Sequence, residues 1–226
     1  AVTCACLRAL QKKGISAASF KCGPDYIDPM FHQRVLGIPG ENLDLFFTDA
    51  KTLQSQIACY EQQCKVAVLE GVMGYYDGLG GMSDRDSTWD VACATNTPVI
   101  LVQGMLSFRK RNQLAGILLN DCSERMARLL APMLEEQTGL PVVGFLPHVE
   151  DASFESRHLG LVTAQEVGAL SEKVDRLADA FLQHVDLEQV LRIAATADSV
   201  SETIKSEVAL KSPDCPDPPQ FPAPDK

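Results

Sequence analysis

The stretch VAVLEGVMGYYDGLGG, residues 66–81, joins a short apolar run to a carboxylate and then to a loop with five glycines. Residues 66–69 lack polar alternation, as expected of a parallel strand that is covered on both faces. Glu70 follows at the carboxyl end of this strand. In open α/β sheets the ligand crevice lies just outside these strand ends, and glycines let the backbone approach a ligand closely. The stretch therefore predicts a binding crevice at this edge of a parallel sheet.

Helical patterns alternate with short apolar segments along the rest of the chain. Strands are predicted at residues 17–21, 98–102, 114–119 and 142–146, and a compact segment at 42–47. Helices are predicted at residues 2–13, 29–36, 49–63, 87–95, 123–137 and 163–184, with Ser87 as an N-cap and a last short helix capped by Asp186. This alternation predicts βαβ units and a doubly wound, mostly parallel sheet of the α/β class. Residues 103–113 form an unusually short crossover for two parallel strands.

The composition limits the domain organisation and the partners. The sequence has 226 residues, of which 46% are hydrophobic, so we expect one domain over residues 1–197. Six of the 13 prolines fall between residues 213 and 224, which predicts a disordered tail at residues 198–226. A net charge of −10 argues against nucleic acid and anionic membranes as partners. No apolar run approaches the roughly 20 residues of a membrane helix, so a cytoplasmic location is expected.

The eight cysteines show no C-x-x-C spacing, and most lie within apolar patterns. A thiol in such a pattern behaves as a small hydrophobic group, so we expect reduced, structural cysteines. Cys22 is followed by Gly23 at a strand end and is the one candidate nucleophile. No histidine follows it at a spacing that matches a motif, which makes this role the less favoured alternative.

Four acidic residues are predicted at one edge of the sheet: Asp25, Asp28, Glu70 and Asp77. Converging carboxylates suit Mg²⁺, which is usually held by one or two carboxylates together with waters and substrate phosphates. Lys21, at a neighbouring strand end, could meet phosphate. The alternative for each acid taken alone is an ordinary solvated loop residue.

Other polar residues leave two interpretations open. Asn120 at a strand end could contact a base edge or cap the next turn, and Arg157 with His158 could bind an anion or cap a helix. His32 is expected to be a surface or packing residue. The sequence contains neither a G-x-x-x-x-G-K-[ST] phosphate loop nor a G-x-S-x-G nucleophile elbow.

Four motifs carry a resemblance to a known family: SFKCGPDYIDPMF (residues 19–31), NLDLF (42–46), EGVMGYYDGLG (70–80) and ESRHLGL (155–161). In this order they closely resemble the cobyrinic acid a,c-diamide synthases of cobalamin biosynthesis, from residue 1 to about residue 195. The wider superfamily includes dethiobiotin synthetase and the partition ATPases. The Tyr-Tyr-Asp-Gly loop is particular to the diamide synthases and the related nickel-sirohydrochlorin enzymes.

The resemblance implies a P-loop, dethiobiotin synthetase-like fold and an ATP-dependent carboxylate–amine ligase. Such enzymes use ATP and Mg²⁺ to phosphorylate the a and c carboxylates of a corrinoid ring. Ammonia from a glutaminase domain then displaces the phosphate and leaves an amide. The substrate would be cobyrinic acid, hydrogenobyrinic acid or a nickel tetrapyrrole, and a homodimer is an arrangement that the resemblance allows.

The resemblance also implies roles for residues that match the family motifs. Asp25 and Glu70 would hold Mg²⁺. Lys21, Asp28 and Asp77 would take part in forming and stabilising the acyl phosphate. The expected substrate contacts are Tyr26, Ile27, Tyr75, Tyr76, Arg157 and His158. The expected nucleotide contacts are Lys21, Asn120 and Pro147.

The sequence departs from the family pattern in three places. The phosphate-binding loop expected before Ala1 is missing, the crossover at residues 103–108 lacks the family's strand-end Asp and helix, and a proline-rich tail stands in place of the glutaminase domain. We therefore expect little or no activity from this chain alone. The alternative is a non-catalytic remnant or interaction module that keeps the fold. A partition ATPase would need a basic surface for DNA, which the acidic composition argues against.

Overall fold

The computed structural model describes residues 1–81, 83–102, 113–150, 152 and 164–197. The strands are β1 (Ala17–Cys22), β2 (Gly40–Leu43), β3 (Val66–Glu70), β4 (Val99–Leu101), β5 (Leu114–Asn120) and β6 (Val142–Leu146). The helices are α1 (Val2–Lys12), α2 (Ile27–Phe31), α3 (Ala50–Glu61), α4 (Thr88–Ala94), α5 (Glu124–Thr138), α6 (Ala164–His184) and α7 (Leu187–Ala194). A π-helical turn at His32–Leu36 continues α2.

The strands form two three-stranded parallel sheets. The first sheet has the order β2-β1-β3 and the second has the order β4-β5-β6. Helices separate β1 from β2, β2 from β3, β3 from β4 and β5 from β6. The prediction of an α/β fold with parallel strands is therefore confirmed.

Local signals place the helix starts where the sequence predicts them. The side chain of Ser87 accepts a hydrogen bond from the Asp90 amide at the start of α4, and Asp186 accepts one from the Gln189 amide at the start of α7. Each side chain satisfies one of the amide groups that a helix leaves unpaired at its beginning. Both predicted N-caps are confirmed.

The largest apolar core joins α1 and α6 to residues of both sheets. Leu7 of α1 and Val174 of α6 are completely buried in it. Arg8 forms an ion pair of 2.8 Å with Asp175 along the edge of the same helix pair. A second core packs Phe20 of β1 against α3 and α4. These contacts fix the first sheet from two directions and hold its carboxyl edge in place.

One strand was not predicted, and one strand prediction is wrong. Residues 40–43 form β2 beside β1, and the predicted compact segment at 42–47 runs from the end of this strand into a turn at 45–47. A Cβ atom at Gly40 would lie 1.9 Å from the carbonyl oxygen of Ser19, so only glycine allows this pairing. The wrong prediction concerns β3, whose residues are all half-buried rather than fully buried, because the strand lines an open cavity.

Several predictions fall on residues outside the described ranges: the crossover at 103–112, the loop with Arg157 and His158, and the tail at 198–226. Among the described helices, none has the length and apolar character that crossing a membrane requires.

Candidate active site

Strand register brings Lys21 and Glu70 together at the carboxyl edge of the first sheet. The two residues are direct partners across the parallel β1–β3 pair. Side chains of neighbouring strands at the same register point to the same face. The ammonium Nζ of Lys21 lies 3.7 Å from Oε1 of Glu70. The sequence prediction that these two residues share an edge is thus realised as an ion pair.

Lys21 also pairs with Asp28, which lies in the first turn of α2 just after the loop that follows β1. Nζ lies 2.6 Å from Oδ2 of Asp28, and the Lys21 side chain is only 8% exposed. Burial alone would lower the pKa of Lys21. The hydrogen bond to Asp28 and the negative charges of Glu70, Asp28 and Asp25 outweigh burial and raise the pKa above its ordinary value. Lys21 is therefore a buried, permanently charged cation.

Glu70 has one oxygen that the fold leaves without a partner. Its Oε2 is buried and accepts no hydrogen bond from the described residues. Burial raises the pKa of Glu70, while the charge of Lys21 opposes that shift. A buried carboxylate oxygen without a donor is costly unless something occupies it. Glu70 is thus prepared to bind a cation or a hydrogen-bond donor through this atom.

The loop after β1 is held in shape by its own polar groups. Oδ1 of Asp25 accepts a hydrogen bond of 3.0 Å from the Ile27 amide. The side chain of Asn42 donates to the carbonyl oxygens of Gly23 and Asp25, each at 2.7 Å. These bonds tie the loop to β2 and leave the side chain of Tyr26, which is 68% exposed, on the outer surface. The loop therefore presents an aromatic ring beside the buried charges.

The glycine loop after β3 places its predicted residues in different environments. Asp77 is exposed, and its Oδ2 accepts a hydrogen bond of 2.9 Å from the Gly74 amide within its own loop. Tyr75 is buried, burial raises the pKa of its hydroxyl, and its ring lies 4.8 Å from that of Tyr76. Asp77 is not among the groups that the structure places around Lys21. The structure brings together three of the four acids predicted at this edge.

A cavity of about 550 Å³ opens between β3 and β4. All five residues of β3 line it, together with residues of β4 and the first residues of α1. Within the described part of the chain, β3 pairs only with β1 and β4 pairs only with β5, so both strands turn an open edge to this space. Glu70 and Asn120 lie on its wall. The cavity thus connects the buried charges of the first sheet to the second sheet.

As predicted, Asn120 is the last residue of β5 and Pro147 follows the end of β6. Of these two residues, Asn120 lines the cavity and Pro147 does not. Asn120 is exposed, and Ser123 rather than Asn120 caps α5 by accepting a hydrogen bond from the Met126 amide. Asn120 therefore does not cap α5, and its two predicted roles, a contact with a base edge or a cap of the turn after β5, stay predictions.

His32 is the residue of this region that sequence reasoning missed. It was expected to be a surface or packing residue, and its side chain is packed at 2% exposure, but it lies among polar groups that the sequence did not indicate. Nδ1 lies 2.7 Å from Oγ of Ser19, and Nε2 lies 3.9 Å from Oε2 of Glu70. Burial lowers the pKa of His32 to about 4, although the charge of Asp28 opposes the shift. The available signal was its place four residues after Asp28, one turn along the same helical segment.

Cys22 does not have the environment of a nucleophile. It is 3% exposed, and burial raises the pKa of its thiol to about 12. A thiol must ionise to attack, so a buried cysteine with a raised pKa is inert. The favoured prediction of a structural cysteine is confirmed.

The residues at this edge fit Mg²⁺. The carboxylates of Glu70 and Asp25, whose charges both act on Lys21, are hard oxygen ligands. Mg²⁺ needs only one or two carboxylates because waters and phosphates complete its shell. The described residues contain no group of three His, Cys, Asp or Glu side chains that could enclose a metal ion.

The chain is similar to curated proteins over most of its length. A cobyrinate a,c-diamide synthase of Listeria innocua is 36% identical over 225 residues, covering 92% of this chain and 50% of the relative. Proteins of the same name are 35% identical in Clostridium tetani, covering 83% of this chain and 45% of the relative, and 35% identical in Synechococcus, covering 91% and 49%. The chain therefore spans about half the length of the curated relatives it matches. No family model matches it.

Proposed function

The chain belongs to the family of the cobyrinate a,c-diamide synthases, and on this premise we propose that it forms the part of such a ligase that activates carboxylates with ATP and Mg²⁺. The expected reaction is amidation of the a and c carboxylates of cobyrinic acid, in the cytoplasm, through acyl phosphates. The observation that carries the proposal is the buried Lys21 between Asp28 and Glu70, with one oxygen of Glu70 unpartnered.

The charges at this edge suit phosphoryl transfer, which asks a protein mainly for positioning and charge neutralisation. In the first step a substrate carboxylate oxygen attacks the γ-phosphorus of ATP, and ADP leaves. Lys21 would shift from Asp28 toward the transferred phosphoryl group and stabilise its negative charge. Ammonia then attacks the acyl carbon, and inorganic phosphate leaves with formation of the amide.

Glu70 and Asp25 would hold Mg²⁺, which supplies neutralisation of the phosphate charge when it is bound. Asp28 would keep the ammonium of Lys21 in place before nucleotide arrives. Asp77 would turn away from the Gly74 amide to help position the acyl phosphate. The loop between residues 71 and 81 carries the glycines that make such a movement inexpensive.

The substrate would lie against the loops that follow β1 and β3. Tyr26 and Ile27 stand between Asp25 and Asp28 in the sequence and would lie beside the carboxylate to be activated. Tyr26 is the exposed member of this set, and Tyr75 forms the buried floor of the second loop. Arg157 and His158 are proposed as anion contacts from the resemblance alone.

The nucleotide would bind at the carboxyl end of the cavity between β3 and β4, beside Glu70 and Asn120. A parallel strand in this gap would pair with both open edges and convert the two sheets into one. Its end would lie beside Glu70 and near Ala1, which also lines the cavity. We propose that a strand and phosphate-binding loop from outside these 226 residues fill the gap, as the P-loop fold requires. Asn120 and Pro147 would then contact the adenine.

The test compares two proteins: the 226-residue chain alone, and the same chain joined to the residues that its gene encodes on either side. Each is mixed with ATP, Mg²⁺, ammonia and cobyrinic acid, and formation of the amides is followed by mass spectrometry. We expect amidation by the joined protein and little by the chain alone. Lys21→Met in the joined protein should abolish it, while His148→Gln, in an exposed pair with Asp121, should not.

Failure of a folded joined protein to amidate any of the three candidate tetrapyrroles would overturn the proposal. A non-catalytic interaction module is the remaining candidate, because the chain spans only half of its relatives. Calorimetry separates the two: a module without nucleotide function gives no heat with ATP and Mg²⁺ in either protein.

A further inference from the structure

The ring of His32 lies between three polar side chains from three different elements. Nδ1 is 2.7 Å from Oγ of Ser19 on β1, and Nε2 is 3.6 Å from Sγ of Cys4 on α1. Nε2 is also 3.9 Å from Oε2 of Glu70, the buried oxygen without a hydrogen-bond partner. The ring therefore connects a buried hydroxyl to the carboxylate that we propose as a metal ligand.

Only one of the two neutral tautomers of the ring can donate a hydrogen bond to Glu70. With the proton on Nδ1, Ser19 accepts the hydrogen bond, and the lone pair of Nε2 faces a carboxylate oxygen. With the proton on Nε2, the hydroxyl of Ser19 donates to Nδ1, and the N–H group faces Oε2. In a histidine the partner of one ring nitrogen decides the role of the other. A shift of less than 1 Å, small for side-chain motion, would then complete the hydrogen bond to Glu70.

We propose that His32 is a positioning residue for Glu70: a neutral imidazole with its proton on Nε2, favoured by the unpartnered carboxylate oxygen that faces this nitrogen and matched by the hydroxyl of Ser19, which can donate to Nδ1. Ser19 and His32 are both buried, so this pair is rigid and excludes water from the inner side of the carboxylate. The other lone pairs of Glu70 are then directed to the outer edge of the sheet. The role of these outer lone pairs in holding a metal ion rests on the proposed function, whereas the assignment of the tautomer does not.

The tautomer is measured directly by nuclear magnetic resonance. In the ¹⁵N-labelled chain, a two-bond ¹H–¹⁵N spectrum distinguishes protonated from unprotonated ring nitrogens for each of the four histidines. The signals of His32 are identified by their loss in His32→Gln. We expect a protonated Nε2 and an unprotonated Nδ1 at pH 7, and mixed tautomers in Ser19→Ala. A proton on Nδ1, or equal mixing in the unaltered protein, would overturn the assignment.

The positioning role is measured through the affinity for a divalent cation. Residues behind a metal ligand typically contribute a factor of roughly 10 to 100 in affinity. In the joined protein, His32→Asn should weaken the binding of Mg²⁺ by this factor, because the asparagine amide reaches only the position of Nδ1. His32→Gln can return an N–H near Nε2 and should recover part of the loss. The KM for ATP should stay unchanged, and His148→Gln serves as the matched control.

Binding of Mn²⁺, followed by electron paramagnetic resonance, gives the same comparison without turnover. If the tautomer is as proposed but cation affinity is equal in His32→Asn and the unaltered protein, the positioning role is wrong and the proposed function stands. If the joined protein fails to amidate while the Nε2–H form and the affinity difference are observed, the proposed function is wrong and the inference on His32 stands.

Discussion

The carboxyl edges of the two sheets carry similar residue types but differ in burial. In the first sheet, Lys21 is 8% exposed and lies between Asp28 and Glu70. In the second sheet, the acid after β5 pairs with a histidine after β6: Asp121 and His148 lie 3.2 Å apart, but their side chains are 68% and 77% exposed. Both edges therefore pair an acid with a basic residue near strand ends, but one set is buried and the other is exposed.

This difference decides what each pair contributes. Water and salt screen an exposed pair, whose typical contribution is about 0–1 kcal/mol. In a buried cluster each charge depends on its partners, because removing one leaves the others without compensation. The first edge is thus a coupled unit whose properties change together, while the second edge is a set of independent surface groups. Each prediction below tests this contrast.

The largest effect is expected from Lys21→Met, which leaves Asp28 and Glu70 facing each other without a cation. Breaking a buried pair in this way costs about 3 kcal/mol or more. Urea unfolding followed by circular dichroism measures the loss of free energy of unfolding. The double variant Lys21→Met with Asp28→Asn should recover part of it, because one of the two uncompensated charges is removed.

The matched change at the second edge is His148→Gln, for which we expect less than about 0.5 kcal/mol. Equal losses in Lys21→Met and His148→Gln would show that the two edges do not differ in coupling.

The next effect concerns the pH dependence of stability. His32 has a pKa of about 4 in the folded protein, below its ordinary value of 6.5. Between these values the unfolded chain binds a proton that the folded chain does not, so stability falls as pH decreases from 6.5 toward 4. His32 would contribute up to about 3 kcal/mol to this loss. His32→Gln should flatten the curve of unfolding free energy against pH, measured in urea between pH 4.5 and 7.5.

His148→Gln removes an exposed histidine and serves as the control for the loss of an imidazole. A slope that stays the same in His32→Gln would mean that the buried ring does not resist protonation.

Local sequence patterns predicted most elements of both sheets, because strand ends and helix starts depend on neighbouring residues. Ser87 and Asp186 predict the starts of their helices because their side chains cap amide groups of the first turn. Placing Lys21 and Glu70 at one edge needed only the rule that parallel strands end on the same side. Their pairing at equal register is the simplest outcome of that rule.

What the sequence did not predict depends on contacts between distant residues. In its own helix His32 could be a surface or a packing residue, and contacts with Ser19 and Cys4 from two other elements make its buried site polar. The strand β2 also has no local sequence signal. The need for glycine at position 40 arises only because Gly40 packs against the backbone of Ser19. The half-buried state of β3 follows from the cavity at its open edge, which no local pattern encodes.

Cysteines after equivalent strands should differ in reactivity. Cys22 ends β1, is 3% exposed, and has a pKa that burial raises to about 12. Cys122 follows β5 and is partly exposed. Because only the thiolate is alkylated, iodoacetamide at pH 8 should modify Cys22 roughly a hundredfold more slowly than Cys122. Peptide mass spectrometry of samples taken over time measures both rates in one protein, and similar rates would place Cys22 in a more open environment than the fold shows.

The smallest effects are expected from Asn120 and Ser123, which follow each other closely at the end of β5. One should affect nucleotide binding and the other the stability of the fold. Asn120 is exposed on the cavity wall, whereas Ser123 caps α5. Ser123→Ala should lower the free energy of unfolding by about 1 kcal/mol through loss of the cap and leave ATP affinity unchanged. Asn120→Ala should do the opposite: unfolding stays the same, while ATP binding by the joined protein weakens roughly threefold to tenfold, as expected for one hydrogen bond.

Calorimetry with ATP and urea unfolding of both variants measure this pair of outcomes. If Asn120→Ala destabilises the fold as Ser123→Ala does, Asn120 supports the turn and the second sheet contributes no specific contact to the nucleotide. If the two effects separate, the exposed edge supplies binding through single independent groups. That would complete the contrast with the first edge, where Lys21 cannot be changed without disturbing Asp28 and Glu70.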